Sequence, residues 1–143
     1  MKAIIIAGGS GTRLRPLTSS QPKPLLPVAG RPLLEQLLLL LRRHGVDEAV
    51  VTVHYLAQMV RTYFGDGSDY GVRLSYVTES RPMGTAGSVK LAESRLRDEP
   101  FLVMSGDGLT DIDLSELARA HHETGAKVTV CLDRRANPMG MGL

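Results

Sequence analysis

A glycine-rich stretch near the N-terminus, residues 8–27, constrains the fold more than any other part of the chain. It reads GGSGTRLRPLTSSQPKPLLP and follows a short isoleucine-rich run at residues 3–7, which is typical of a buried parallel strand. The next helix cannot begin much before Pro32, so the connection is far longer than the roughly 2 to 6 residues usual between a strand and a helix. Long ordered loops in compact domains are usually functional, and we therefore predict a binding loop at the end of the first strand.

The residue types in this loop favour a polyphosphate ligand. Its glycines let the backbone turn tightly with bare N–H groups, and its cations place fixed positive charge around the same bend. The residues concerned are Gly8, Gly9, Gly11, Arg13, Arg15 and Lys23. A Walker A loop is excluded because no Gly-Lys pair lies at the required distance, and a GxGxxG dinucleotide fingerprint is excluded because Leu14 occupies the third glycine position.

Strands and helices are predicted to alternate along the rest of the chain. Strands are predicted at residues 3–7, 49–53, 72–77, 101–104 and 127–132, and helices at 33–43, 56–64, 85–96 and 114–123. This alternation favours an α/β fold with a mostly parallel sheet and helices on both faces. Ligands of such sheets bind beyond the carboxyl ends of the strands, where the loops 8–31, 78–84 and 105–113 fall.

The amino-acid composition limits which binding partners and which cellular compartment are expected. With 43% hydrophobic and 22% charged residues, the 143-residue chain is typical of one soluble globular domain, and a net charge of +2 is too small to indicate nucleic acid as a partner. Cys131 is the one cysteine, which excludes an internal disulfide and agrees with a reducing compartment. Neither a signal-peptide core nor a membrane span is recognisable, so we expect a cytoplasmic protein that does not bind membranes.

Asp107 is the candidate metal ligand. It stands in the sequence SGDG directly after the predicted strand 101–104, and the flanking glycines are expected to leave room for a bulky ligand. A carboxylate at a strand end suits a hard divalent cation such as Mg²⁺. The alternative, an aspartate in a turn or helix cap, fits Asp111 and Asp113 better because they lead into the helix at 114.

A second candidate segment is ESRPMGTAG, residues 79–87, in which Gly84 and Thr85 open a helix whose N–H groups can meet a base or a phosphate.

These motifs together resemble the sugar-phosphate nucleotidyltransferases. Residues 8–24 match their signature GGxGTRLxPLT followed by PKP, and the resemblance continues through YFGDGSDYGVRL at 63–74, PMGTAGSVK at 82–90 and FLVMSGDGLTDIDL at 101–114. It is closest to the guanylyltransferase half of bacterial mannose-1-phosphate guanylyltransferases. The resemblance implies a Rossmann-like three-layer α/β/α sandwich and assigns residues 1–143 to the N-terminal, nucleotide-binding portion of a nucleotidyltransferase domain.

The resemblance also implies substrates and residue roles. The reaction would join GTP and mannose 1-phosphate to give GDP-mannose and pyrophosphate, with Mg²⁺ as the cofactor. Carried over by position, Gly8, Gly9, Gly11 and Thr12 would approach the nucleotide. Arg13 would contact the β- and γ-phosphates, Lys23 the reacting phosphates and Asp107 the Mg²⁺ ion. No general base is needed, since a sugar 1-phosphate is already an anionic nucleophile.

Glu79 is the residue that bears on base selection. It lies five residues before Gly84, where thymidylyl-transferring relatives carry a glutamine that pairs with the base. A carboxylate only accepts hydrogen bonds, which suits the adjacent N1–H and N2–H donors of guanine. The alternative, a solvated acid in a loop, stays open at this point.

Several questions remain open from the sequence. The family's catalytic domain continues past residue 143 and holds most of the sugar site, so we expect either a fragment or a truncated relative with little turnover. Glucose 1-phosphate specificity within the same family is one alternative, and a non-catalytic nucleotide-binding or regulatory module is another. A homo-oligomer is also left open.

Overall fold

A computed structural model of the protein describes residues 1–97 and 99–132. They fall into two compact units, one covering residues 1–111 and one beginning at residue 112. The strands are β1 (Lys2–Ile6), β2 (Pro27–Val28), β3 (Arg31–Pro32), β4 (Glu48–Val53), β5 (Arg73–Thr78) and β6 (Phe101–Ser105). The helices are α1 (Leu33–Arg43), α2 (Ala57–Phe64), α3 (Gly84–Leu91), α4 (Glu93–Leu96) and α5 (Leu114–Thr124). None of these helices is long and apolar enough to cross a membrane.

The first unit is built on a parallel sheet with the strand order β5-β4-β1-β6. In the central strand β1, Ile4 is paired with Val50 of β4 on one side and with Val103 of β6 on the other. β1 and β4 are rich in Ala, Ile and Val that are fully buried on both faces, as a central parallel strand requires. The predicted parallel α/β sheet is thus confirmed, and β2 and β3 add a small antiparallel hairpin.

Connection handedness explains why both faces of the sheet are covered. The chain steps from β1 to β4 to β5 in one direction through α1 and α2, and then returns across the sheet to β6 through α3 and α4. Right-handed crossovers therefore place α1 and α2 on one face and α3 and α4 on the other. The packing agrees with this arrangement, since Ala92 and Leu96 form a buried cluster with Ile4 and Val50.

Helix α1 has the predicted bounds, with Pro32 at its N-cap and Arg42 and Arg43 in its last turn. The prediction of one continuous helix over residues 85–96, in contrast, is wrong. Ala92 leaves the helical conformation, with φ −90° and ψ 1°, and separates α3 from α4. The break keeps both Ala92 and Leu96 buried against the sheet, and this tertiary constraint overrides the local helical preference.

The predicted fifth strand at residues 127–132 is also wrong. The structure gives these residues no strand, and Val128, Val130 and Leu132 are 76%, 70% and 84% exposed. Their alternation of apolar and other residues has the period of a strand, but a strand exists only when a neighbouring strand supplies its hydrogen bonds. The terminal stretch Asn137–Leu143 lies outside the described residues.

Helix α5, in the second unit, begins as the sequence predicted. Asp113 is its N-cap, and the Asp113 Oδ1 atom accepts a hydrogen bond of 2.9 Å from the backbone N–H of Glu116. The prediction that Asp113 can cap this helix is therefore confirmed. Gly125, with φ 61°, ends the helix in the left-handed conformation that glycine tolerates.

Candidate functional site

A cavity of about 330 Å³ lies at the carboxyl ends of β1 and β6. It is lined by the end of β1, residues 9–14 of the glycine-rich loop, the turn at Lys23 and the residues that follow β6. This is the edge at which parallel α/β sheets bind ligands. Of the sequence-predicted site residues, the cavity brings together Gly9, Gly11, Thr12, Arg13, Lys23 and Asp107.

The bend of the glycine-rich loop is fixed at Gly11. Gly11 has φ 62°, in the left-handed region, and a Cβ atom at this position would lie 2.8 Å from Cγ2 of Thr18. Thr18 is buried, and its hydroxyl donates a 2.8 Å hydrogen bond to the Gly11 carbonyl oxygen. The backbone N–H of Leu14 donates to the same oxygen at 2.9 Å and closes a 3₁₀ turn at Thr12–Leu14. Only glycine satisfies both the conformation and the contact at this point.

The three cations of the loop divide into two classes. Arg13 and Lys23 line the cavity, whereas Arg15 is exposed and lies outside the lining. Among the described residues no carboxylate pairs with Arg13, so its guanidinium is available to an anion. Lys23 is paired with Asp107, with 2.8 Å between Lys23 Nζ and Asp107 Oδ2. The cavity therefore combines one uncompensated cation with one ion pair.

Asp107 is held from two sides. Lys23 donates to Oδ2, and the hydroxyl of Ser105 donates a hydrogen bond to Oδ1. The Lys23 hydrogen bond lowers the pKa of the Asp107 carboxyl below its ordinary value, the Ser105 hydrogen bond adds to this effect, and partial burial opposes it. The side chain is nevertheless 50% exposed and faces the cavity as a carboxylate.

Of the two glycines beside Asp107, only Gly106 differs from the expectation that both leave room for a ligand. A Cβ at Gly106 would lie 2.7 Å from the Ile6 carbonyl oxygen, and the Gly106 N–H donates to that same oxygen at 2.8 Å. Gly106 is therefore required because β6 ends tightly against β1, and not because a ligand needs space. Gly108 has no neighbour within 4 Å of an added Cβ, so the space on that side is open.

The donor set at Asp107 suits Mg²⁺ better than a tightly chelated metal. Among the described residues no group of three or more His, Cys, Asp or Glu side chains is placed to hold a metal ion. Mg²⁺ typically binds one or two carboxylates and completes its octahedral shell with water and substrate phosphates. A single half-exposed carboxylate at a cation-lined cavity fits that mode.

Glu79 lies away from the cavity lining and is buried, with 4% exposure. Its Oε1 atom accepts from the Ser88 hydroxyl at 2.7 Å, and Oε2 accepts from the backbone N–H of Met83 at 3.2 Å. A Cβ built at Gly8 would lie 2.9 Å from both Cδ and Oε1 of Glu79 and 3.0 Å from Oε2. The reading of Glu79 as a solvated loop acid is thus wrong: the carboxylate connects the glycine-rich loop to the start of α3.

Gly84 and Thr85 begin α3 as predicted, and both are exposed. The structure does not bring them into the cavity lining, and Gly8 is likewise outside it. Glu79 joins the two segments, since it contacts Gly8 on one side and Met83, the N-cap residue of α3, on the other.

Sequence reasoning missed three hydroxyl residues that hold this site. Thr18 fixes the Gly11 carbonyl, Ser105 binds Asp107, and Ser88 binds Glu79. Only Ser105 carried a usable signal, since it stands two residues before Asp107 at the end of a strand. Thr18 is seven residues from Gly11 and Ser88 is nine residues from Glu79, and neither pair lies within one regular element whose period would mark it.

Comparison with known proteins agrees with this geometry. The sequence matches the family described as nucleotidyl transferase over residues 2–143. The chain belongs to this nucleotidyl transferase family. It is 40% identical over 140 residues to a mannose-1-phosphate guanylyltransferase of Mycobacterium tuberculosis, which covers 98% of this chain and 39% of that protein. It is also 40% identical over 141 residues to a UTP–glucose-1-phosphate uridylyltransferase of Synechocystis, which covers 91% of this chain and 36% of that protein.

A solved structure supports the same family assignment. The structure of HddC from Yersinia pseudotuberculosis, complexed with GMP-PN, matches with a TM-score of 0.75 and 27% identity over 84% of this chain and 53% of that one. The fold is therefore the Rossmann-like α/β fold of nucleotidyl transferases. The chain spans well under half the length of the two curated relatives.

Proposed function

We propose that this chain carries the nucleotide-binding half of an enzyme that transfers GMP from GTP to mannose 1-phosphate, releasing pyrophosphate. The observation that carries the proposal is the cavity at the ends of β1 and β6, where Arg13, Lys23 and Asp107 meet beside a glycine-rich loop. Phosphoryl-type transfer needs alignment and charge stabilisation more than it needs a general base. A cavity that offers two cations and one carboxylate supplies these requirements.

In the proposed reaction, a phosphate oxygen of the sugar 1-phosphate forms a bond to the α-phosphorus of GTP. The bond from the α-phosphorus to the oxygen that bridges to the β-phosphate breaks, and its electron pair leaves with pyrophosphate. Arg13 would bind the phosphates that become pyrophosphate, and this role is supported by its position in the cavity lining and by its lack of a carboxylate partner among the described residues. Lys23 contributes the second positive charge within the same cavity.

Asp107 is the residue that would hold Mg²⁺. When bound, the ion supplies charge neutralisation at the phosphate oxygens. Since Lys23 and Ser105 already occupy one site on each carboxylate oxygen, the remaining lone pairs of Asp107 are those available to a cation. The ion pair also keeps Asp107 ionised, as a hard cation requires.

Guanine specificity rests on Glu79. Its buried carboxylate has about four acceptor positions, of which Ser88 and Met83 use two, so two remain for the adjacent donors of guanine. The relative from Mycobacterium tuberculosis, described as a mannose-1-phosphate guanylyltransferase, supports this choice of base and sugar.

A second candidate is transfer of UMP from UTP to glucose 1-phosphate. It is favoured by one specific observation, the equal 40% identity to the Synechocystis uridylyltransferase. Uracil offers one N–H between two carbonyl oxygens, so a carboxylate would face an acceptor as well as a donor. That mismatch is the reason for preferring guanine. A non-catalytic module is the remaining alternative, and it is distinguished by a lack of product.

The proposal is tested by titrating GTP with and without Mg²⁺ into the parent, Arg13→Ala and Asp107→Ala proteins. Arg13→Ala is expected to weaken GTP binding by at least about tenfold, because a charged hydrogen bond to phosphate is worth about 1.5 to 3 kcal/mol. Arg15→Ala, which removes a cation of the same loop outside the cavity, is the matched control and is expected to change affinity by less than about threefold. Asp107→Ala is expected to abolish the Mg²⁺ dependence.

Two outcomes would contradict the proposal. Equal losses from Arg13→Ala and Arg15→Ala would mean that the cavity does not bind the phosphates. Mg²⁺-dependent binding that survives in Asp107→Ala would remove the metal role. Pyrophosphate release measured with mannose 1-phosphate and with glucose 1-phosphate then separates the two candidate reactions.

A further inference from the structure

Ser88 is a buried polar residue to which the proposed reaction gives no direct contact with a substrate. It lies on α3 with 1% exposure, and its hydroxyl is 2.7 Å from Oε1 of Glu79. The same hydroxyl is 2.7 Å from the Gly84 carbonyl oxygen, one turn earlier in the helix. A serine inside a helix ordinarily bonds to that carbonyl alone, whereas here a carboxylate, the stronger acceptor, is equally close.

The orientation of the Glu79 carboxylate is fixed from three directions. Ser88 donates to one oxygen and the Met83 N–H donates to the other. A Cβ built at Gly8 would be nearly equidistant from Cδ and both oxygens, at 2.9, 2.9 and 3.0 Å. A point equidistant from Cδ and both oxygens lies over the flat face of the planar carboxylate. Gly8 therefore covers one face of the Glu79 carboxylate, while Ser88 and the Met83 N–H bind its two oxygens.

The lone pairs of a carboxylate lie in its plane, about two on each oxygen. With one used on each oxygen, about one acceptor position per oxygen remains. Two neighbouring acceptor atoms of one carboxylate are what the adjacent N1–H and N2–H donors of guanine require. Because Glu79 is 4% exposed, a base that cannot donate would leave these acceptors unpaired in a nearly dry environment.

We propose that Ser88 is a positioning residue for base selection, which holds the Glu79 carboxylate in the one rotation that presents both remaining acceptors to guanine. The inference rests on the proposed guanine specificity. In the proposed site, Ser88 itself does not touch the nucleotide. Its removal is therefore expected to weaken discrimination between bases and to leave the phosphate half of the site unchanged.

The test compares three probes, GTP, dTTP and inorganic pyrophosphate, titrated into the parent and variants in the presence of Mg²⁺. Ser88→Ala is expected to lower the GTP-to-dTTP affinity ratio by about fivefold or more, with pyrophosphate affinity within about twofold of the parent. Ser88→Thr keeps the hydroxyl and is expected to retain the parent ratio. A merely structural role would lower the affinity for all three probes together.

Thr52→Val is the matched control for losing a buried hydroxyl. Thr52 is fully buried on β4, in line with Val50 on the face that α3 and α4 cover, and its Oγ1 has no hydrogen-bond partner among the described residues. This substitution is expected to leave the affinity ratio unchanged. A loss as large as that in Ser88→Ala would overturn the inference.

Glu79→Gln separates failure of this inference from failure of the guanine proposal. If Glu79→Gln changes the ratio and Ser88→Ala does not, Ser88 has no positioning role and the guanine proposal stands. If the parent binds GTP and dTTP equally, or Glu79→Gln leaves the ratio unchanged, the guanine proposal is wrong and the role of Ser88 fails with it. Pyrophosphate affinity that falls in parallel with GTP affinity in Ser88→Ala would also overturn the inference.

Discussion

Lys23 and Asp107, 84 residues apart in the chain, form an ion pair with 2.8 Å between Nζ and Oδ2. Lys23 belongs to the long loop after β1, and Asp107 follows β6, the strand next to β1 in the sheet. The pair therefore fastens the far part of the loop to the sheet edge at which the cavity opens. The same contact shapes the cavity and sets the charge state of the candidate metal ligand.

The first prediction concerns pH. The pKa of Asp107 is lowered in the folded protein, so its contribution to stability is present above the unfolded pKa and is lost as pH falls through the folded pKa. The parent is therefore expected to exceed Asp107→Asn in stability at pH 7, and the difference is expected to shrink as the pH falls below the unfolded aspartate pKa of about 3.9. Because the side chain is 50% exposed, the difference at pH 7 should stay below about 1 kcal/mol.

Thermal unfolding of both proteins from pH 2 to pH 7 measures this difference. Asp111→Asn, at an exposed aspartate of the same loop, controls for the loss of one negative charge. A difference between parent and Asp107→Asn that stays constant over the whole pH range would contradict the prediction.

The second prediction compares the glycines on either side of Asp107. Gly106→Ala would place a Cβ 2.7 Å from the Ile6 carbonyl oxygen and 2.9 Å from the Ala7 Cβ, and neither atom belongs to a flexible side chain. We expect a loss of about 1 to 3 kcal/mol in the free energy of unfolding, as for other overpacked sites. Gly108→Ala meets no atom within 4 Å and is expected to change stability by less than about 1 kcal/mol. Urea unfolding of the two variants decides between them, and equal effects would rule out the packing argument.

The sequence predicted the elements whose pattern is local. Helix α1 carries its own start and stop signals in Pro32 and the Arg42-Arg43 pair, and β1 and β4 are short runs rich in Ala, Ile and Val. Residues 127–132 show why the same reasoning fails elsewhere. Their apolar alternation is local, but the hydrogen bonds that make a strand come from a partner, which a periodic pattern cannot supply.

The candidate site, like the fold, could be predicted from the sequence only in part. The loop cations and Asp107 were predictable because their residue types and their place after a strand already indicate the chemistry. The burial of Glu79 could not be predicted from the sequence, since it depends on Gly8 at the end of a strand and on Ser88 in a helix. Three separate segments meet at that carboxylate, and none of their spacings repeats with a secondary-structure period.

The third prediction tests the N-cap of α5. The Asp113 carboxylate accepts from the Glu116 N–H at 2.9 Å, and an alanine would leave that backbone donor without its cap. Asp113→Ala is expected to lower stability by about 0.5 to 2 kcal/mol, whereas Asp113→Asn or Asp113→Ser should retain most of it. Circular dichroism of the helical signal during thermal unfolding measures the loss. Equal stability of the alanine and serine variants would refute the capping role.

The last prediction is an energetic coupling between Gly8 and Glu79. A Cβ at position 8 would lie 2.9 Å from the Glu79 carboxylate. A long side chain would ordinarily move aside, but this one is 4% exposed and is held by Ser88 and the Met83 N–H. Gly8→Ala is therefore expected to destabilise the parent by about 1 to 3 kcal/mol. In a Glu79→Ala background, where the carboxylate is gone, the same substitution should cost less than half as much.

A double-mutant cycle by urea unfolding gives the coupling energy directly. Gly9→Ala has no atom within 4 Å of its Cβ and should add to Glu79→Ala without coupling. If the losses in the free energy of unfolding from Gly8→Ala and Glu79→Ala simply add in the double variant, the carboxylate is free to move away and does not hold the glycine-rich loop.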